Sequence, residues 1–290
     1  MERSQVFAAR LVVQAARGLE AQLRGLGSLR MVLFAGLPGT GKSLLVHQLA
    51  HLALGAGRSV HLLQWDVARP AFEASPAGRR YPLADGVTHA VIRKAAGLWV
   101  REALVAWNDR HPGPEHVVIG ETPFVGGRFI ELARRLDDRA EALLTSPSCR
   151  FVIAVPSRAV RAFLEAERAR RSARPLHPRE REDAPPQVLR AMWRHLGVVA
   201  RRLGLAVSDA DYDAVLYRRV YEAVLRHRNV DVVPLDVILP TGALSVYDFA
   251  VDLPTLVPTD DETRTFIAAV ERRYADPTVL EREIEGWWEV

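Results

Sequence analysis

Apolar residues predominate in short runs at 31–35, 59–65, 116–120 and 150–155, and between these runs the hydrophobic period lengthens to that of helices. Runs that do not alternate polar with apolar predict strands buried on both faces. Strands separated by helices predict a parallel sheet covered on both sides. Helices are predicted at 3–25, 43–54, 88–108, 127–144, 157–171, 186–203 and 211–227, with a fifth strand at 205–207. A loop holding Pro70, Pro76, Gly78 and Pro82 follows the second strand. Beyond residue 230 the pattern changes: 232–239 and 243–249 read as two strands joined by Pro240-Thr241-Gly242, a turn composition. Thr259-Asp260-Asp261-Glu262 then opens a capped helix running to about residue 274. The expected organisation is an α/β domain over 1–229 and an α+β appendage over 230–290 packed on it, serving as lid, substrate platform or dimer contact.

Between the first strand and the helix after it stands Gly36-Leu37-Pro38-Gly39-Thr40-Gly41-Lys42-Ser43, which fits G-x-x-x-x-G-K-[ST]. Glycines let the backbone curl until several N–H groups face one phosphate chain, and the helix that follows adds its positive end. The expectation is a nucleoside triphosphate, ATP, cradled by Gly36, Pro38, Gly39, Thr40, Gly41, Lys42, Ser43 and Leu44. Lys42 reaches the β and γ phosphates, and Ser43 ligates Mg²⁺. The fold class follows as α/β, a three-layer P-loop NTPase fold.

Composition adds one detail. The chain has 37 Arg and only two Lys, Lys42 and Lys94. A compact ammonium touching several phosphate oxygens is not replaceable by a flat guanidinium, which accounts for the exception at Lys42. The 49% hydrophobic and 26% charged content suits a globular chain. Cys149 stands alone, so no intrachain disulfide forms and a reducing cytoplasm is the expected compartment. No apolar stretch approaches the roughly 18 residues of a membrane helix, and Met1-Glu2-Arg3-Ser4 lacks a signal-peptide core, so no membrane partner is expected. Net charge is +4, yet residues 158–194 alone hold ten Arg against five acidic residues, a local +5. Few aromatics interleave with those arginines, which favours a polyphosphate ligand over nucleic acid as their partner.

Strand ends supply the carboxylates. Asp66 follows the second strand and Glu121 the third, on the sheet edge where ligands of such folds bind. Glu121 reaches Mg²⁺ through a water, holds the acceptor, or caps the turn at Thr122-Pro123; Asp66 is a base, or an N-cap or turn residue before Pro70. Guanine reading is not expected, because neither Asn108 nor Asn229 is followed by Lys, and the signatures of transporter and AAA-type ATPases are absent. His47 and His51 read as a helix-surface pair, Cys149 as a packed thiol, and Trp287 and Trp288 as a subunit anchor or, more simply, as buried against the domain.

Gln64-Trp65-Asp66-Val67-Ala68-Arg69-Pro70 resembles the Asp-x-x-Arg element of small phosphate-loop kinases, a group that includes gluconate kinases, chloramphenicol phosphotransferase and the zeta toxins. The resemblance spans about residues 30–227. It implies that Asp66 accepts the proton of the attacking hydroxyl and that Arg69 holds the acceptor. It also implies that the arginine-rich segment, about 157–185, is a lid whose Arg168, Arg171 and Arg174 close over the transferring phosphoryl group, with Arg171 the catalytic choice. The expected partner is a small phosphoryl acceptor: nucleotide, sugar or activated sugar. The other function in view is an ATPase or nucleotide switch acting on nucleic acid or a protein.

Overall fold

A computed structural model describes residues 11–84, 86–181, 183–207, 212–242 and 244–290. Its centre is a sheet of five parallel strands, β1 (Met31–Ala35), β2 (Ser59–Gln64), β3 (His116–Thr122), β4 (Cys149–Pro156) and β5 (Val230–Leu235), in the order β2-β3-β1-β4-β5. β1 is buried at every position, and its side chains serve two cores in turn. Val32 and Phe34 join one apolar cluster with α1 (Arg17–Leu26) and α2 (Lys42–Gly55). Met31, Leu33 and Ala35 join the other, under α3 (Trp65–Ala74), α4 (Ala90–Arg110), α7 (Pro186–Arg202) and α8 (Ala214–Val224). Burying each such side chain stabilises the fold by about 1.5–3 kcal/mol, which is why the unbroken apolar run is the strand signal here. α5 (Arg139–Leu144) and α6 (Arg158–Ala173) flank β4.

Several expectations need correction. The fifth strand is Val230–Leu235, not 205–207, which form no strand. Pro234 is tolerated because β5 is an edge strand. The expected hairpin after 232 is absent among the described residues: the chain turns into a 3-10 helix, Val246–Phe249, opened by a Ser245–Asp248 capping box, and Ala243 lies outside the described residues. Residues 230–290 are therefore not an α+β appendage. They supply β5, α9 (Asp260–Arg273) and α10 (Pro277–Glu285), both packed on α4, and Leu256, Ile267, Leu280 and Trp287 belong to the same core as β1. Residues 254–256 also run beside edge strand β2, with Leu62 N–H donating to Pro254 O and Leu256 N–H to Leu62 O, both at 2.8 Å.

The helix expected at 127–144 is replaced by two 3-10 turns, Val125–Gly127 and Ile130–Leu132, and the short α5. Backbone carbonyls that a helix would have satisfied go to buried arginines: Arg101 donates to Glu131 O (2.7 Å) and Arg228 to Leu132 O (2.6 Å). The expected N-terminal helix begins only at Arg17, after a 3-10 turn at Val12–Ala15; its residues 3–10 lie outside the described residues. The helix expected at 211–227 is α8, Ala214–Val224, and position 211 lies outside the described residues.

Candidate functional site

β1 ends at Ala35 and the chain leaves it through Gly36, whose φ of +145° and closeness to Tyr217 exclude a side chain: a Cβ there would stand 2.0 Å from the Tyr217 hydroxyl oxygen. That hydroxyl accepts the Leu37 N–H at 3.2 Å. The loop then folds on itself, with Thr40 Oγ1 donating to Leu37 O (2.9 Å), and Gly41, at φ +87°, delivers the chain into α2. Arg161 of α6 clamps the loop from outside, its Nη1 donating to Gly39 O at 2.8 Å while Nε donates to Glu165 (2.9 Å). Lys42 Nζ donates to Leu37 O at 2.7 Å. Burial lowers the Lys42 pKa to about 8, against the pull of Glu121 and Asp66, and Arg161 and Arg168 push it the same way as burial.

Glu121 lies on β3 in register with Phe34 of β1 and Gln64 of β2, so it faces the start of α2, and Ser43 Oγ donates to its Oε2 at 3.4 Å. Burial raises its pKa, Lys42 and the Ser43 hydrogen bond oppose that, and Asp66 and Asp183 add to it. Asp66 is not in a loop but in the first turn of α3, whose Trp65, Ala68 and Phe72 are buried. Pro70 sits inside that helix and cannot donate to the Asp66 carbonyl. The Asp66 carboxylate is exposed and makes no hydrogen bond among the described residues. Lys42, Ser43, Glu121 and Asp66 thus share one sheet edge, as the sequence anticipated.

The arginines divide. Arg168 pairs with Asp183, which accepts from the Tyr247 hydroxyl at 2.8 Å, and this group is near enough to bias Lys42 and Glu121. Arg171 is occupied elsewhere: it pairs with Glu180 (2.9 Å) and Glu167 (3.4 Å), and buried Glu180 also accepts from Ser245 Oγ (2.5 Å). Arg171 therefore ties the arginine-rich segment to residue 245 and is not brought to Lys42. Arg174 is exposed. Arg69 reaches Glu73 at 3.5 Å and leaves its buried Nε without a partner.

Arg128, Arg161, Asp183 and Tyr247 escaped sequence reasoning. Arg128 is half-buried, its guanidinium makes no hydrogen bond among the described residues, and burial lowers its pKa while Asp66 raises it and Arg69 lowers it. A strained loop holds it there: Phe124 and Phe129 on either side have φ of 60° and 58° and are fully buried. No local pattern marks Arg128. Arg161 carried a signal, standing one helical turn after Ser157, the N-cap of α6, at the end of β4.

His47 and His51 are buried rather than on the surface, and His51 Nε2 lies 2.9 Å from Phe249 O. Cys149 is a packed thiol, its pKa pushed up to about 12 by burial. Trp287 is buried against the domain, its Nε1 donating to His195 at 3.2 Å. Among the described residues no helix is long and apolar enough to cross a membrane. No protein-family model, curated protein or solved structure matches the chain.

Proposed function

We propose that the protein is an ATP-dependent kinase on a three-layer P-loop fold, transferring the γ-phosphoryl group to a hydroxyl of a small molecule. The observation that carries this reading is the meeting of Lys42, Ser43 and Glu121 at the carboxyl ends of β1 and β3, with Asp66 past the end of β2 and close enough to bias the first and last of them. The donor set fits Mg-ATP. A buried ammonium whose proton is loosened by burial gains most from an anionic ligand, and hydroxyl and carboxylate oxygens suit a hard dication.

In this reading Gly36 to Leu44 cradle the phosphates and Lys42 holds the β and γ oxygens. Mg²⁺ held by Ser43 and Glu121 would neutralise charge on those oxygens. Asp66 takes the proton of the acceptor hydroxyl onto its carboxylate. Arg161 and Arg168 supply the positive field around the transferred group, the part the resemblance gave to Arg171. Arg69 and Arg128 beside Asp66 favour an acceptor with an anionic group near its hydroxyl, a nucleotide or activated sugar before a free sugar.

The test follows both ADP release and label transfer from Mg-ATP across a panel of nucleotides, sugars, nucleotide-sugars and antibiotics. One labelled acceptor is expected, with transfer lowered about 10²–10⁴-fold by Asp66→Ala while ATP still binds. Hydrolysis without any labelled acceptor, indifferent to Asp66→Ala, would hand the protein to the ATPase or switch reading.

A further inference from the structure

Toward the amino ends of β2 and β3, away from Lys42 and Glu121, three histidines converge from separate elements. His61 is the third residue of β2, His116 the first of β3, and His111 caps the C-terminus of α4. One ring nitrogen from each lies within 4.8 Å of the other two, and all three side chains are half-buried. The imidazoles of His61 and His111 make no hydrogen bond among the described residues, and the buried Nδ1 of His116 has no partner. A buried ring nitrogen without a partner carries a desolvation cost that a ligand would relieve.

We propose that His61, His111 and His116 bind one divalent transition-metal ion of the imidazole-preferring class, Zn²⁺, Ni²⁺ or Cu²⁺, with a fourth position left for water or an added ligand. Zn–N bonds of about 2.0–2.1 Å in tetrahedral array separate ligand nitrogens by about 3.4 Å and imidazole centroids by about 5 Å. The observed centroid distances are 4.5 Å (His61–His111), 4.6 Å (His111–His116) and 5.8 Å (His61–His116). The rings are inclined by 43°, 43° and 53°, so they are not a parallel stack.

His116 is built for the task. Its buried Nδ1 has no hydrogen-bond partner, and its Nε2 faces Glu115 Oε1 at 3.3 Å, the carboxylate pairing that orients a ligating imidazole. The backbone around the cluster is pinned. Arg30 donates to His111 O (2.6 Å) and His116 O (3.2 Å), and Arg58 to Glu115 O (3.1 Å) and His116 O (3.2 Å). The Arg30 guanidinium, 4.7 Å from the Trp107 ring centroid, is thus spent on carbonyls and an aromatic face. Preorganised ligands lose less freedom on binding, which separates this cluster from a chance gathering of surface histidines. The sequence shows none of it, because 61, 111 and 116 match no metal spacing.

The proposal is tested on the full chain without a histidine tag, stripped of metal by chelator and dialysis. Zn²⁺ and Ni²⁺ are titrated by calorimetry, and Co²⁺ by its visible spectrum. One equivalent is expected, with a nitrogen-ligated Co²⁺ spectrum and a Zn²⁺-dependent rise in Tm. His111→Ala, at a half-buried helix end, should keep the metal-free Tm and weaken binding at least about 100-fold, beyond the loss of an outer-shell partner. His61→Gln should do the same, and His227→Ala, a histidine outside the cluster, should leave Zn²⁺ binding unchanged. Absence of stoichiometric binding by the wild type, or binding that survives His111→Ala, overturns the proposal.

Discussion

Lys42 carries the clearest pH signature at the scale of one residue. Its pKa is about 8 in the folded protein against 10.5 as an ordinary lysine, because burial disfavours the charge. Between those values the unfolded chain binds a proton that the folded chain has released, so this group makes stability rise with pH from about 8 to 10.5. A polyphosphate would reverse the balance by favouring the ammonium, so under the proposed function nucleotide binding above pH 8 is expected to take up a proton and affinity to fall as pH rises. Calorimetry in two buffers of different ionisation enthalpy should detect that proton, and Lys42→Met should abolish it. Gly36→Ala tests the loop in another way. With φ at +145° and Tyr217 2.0 Å from the new Cβ, the loop must shift, and nucleotide affinity should drop at least tenfold, about 1.4 kcal/mol. An unchanged dissociation constant would mean that the loop does not hold the nucleotide.

Buried ion pairs join elements alongside the apolar faces. Lys94 of α4 is 3% exposed and reaches Glu131 (2.8 Å) and Glu283 of α10 (2.6 Å), joining the second 3-10 turn to the C-terminal helix. Removing one partner from a buried pair strands the other charge, so Lys94→Met should destabilise the fold by about 3–5 kcal/mol, read from urea unfolding. A loss under 1 kcal/mol would show that the network is dispensable. Arg171 belongs to the same kind of arrangement. As a tie between α6 and Ser245 through Glu180, it should when changed to Met expose the 171–181 segment to protease while leaving phosphoryl transfer within about threefold of wild type. If transfer falls a hundredfold instead, Arg171 acts in the chemistry as the kinase resemblance implied.

At the scale of the molecule, residues 230–290 complete the sheet and its core. β5 pairs with β4, and residues 254–256 cover edge strand β2, so both sheet edges depend on the same segment. A chain ending at 229 loses a strand, two helices and Trp287 from the core. It is expected to be insoluble or rapidly proteolysed, whereas a separable appendage would leave a stable 1–229 domain with a cooperative unfolding transition.

How much of this was legible follows from where each signal resides. β1, β3 and β4 could be read because a strand buried on both faces must be apolar throughout, and the glycine loop because its backbone demands act on consecutive residues. α3 could not, since Pro70 and Pro76 mask the face formed by Trp65, Ala68 and Phe72. Nor could the break of 127–144, where helical periodicity loses to carbonyls claimed by Arg101 and Arg228 from distant helices. The sequence by itself determined the parallel α/β architecture, the loop at 36–43 and the edge carrying Asp66 and Glu121, because each rests on local pattern. Only the tertiary structure decided which strand completes the sheet, which arginines stand near Lys42 and which are tied down, and that His61, His111 and His116 meet. Those outcomes depend on contacts between residues far apart in the chain, and no spacing along the chain encodes them.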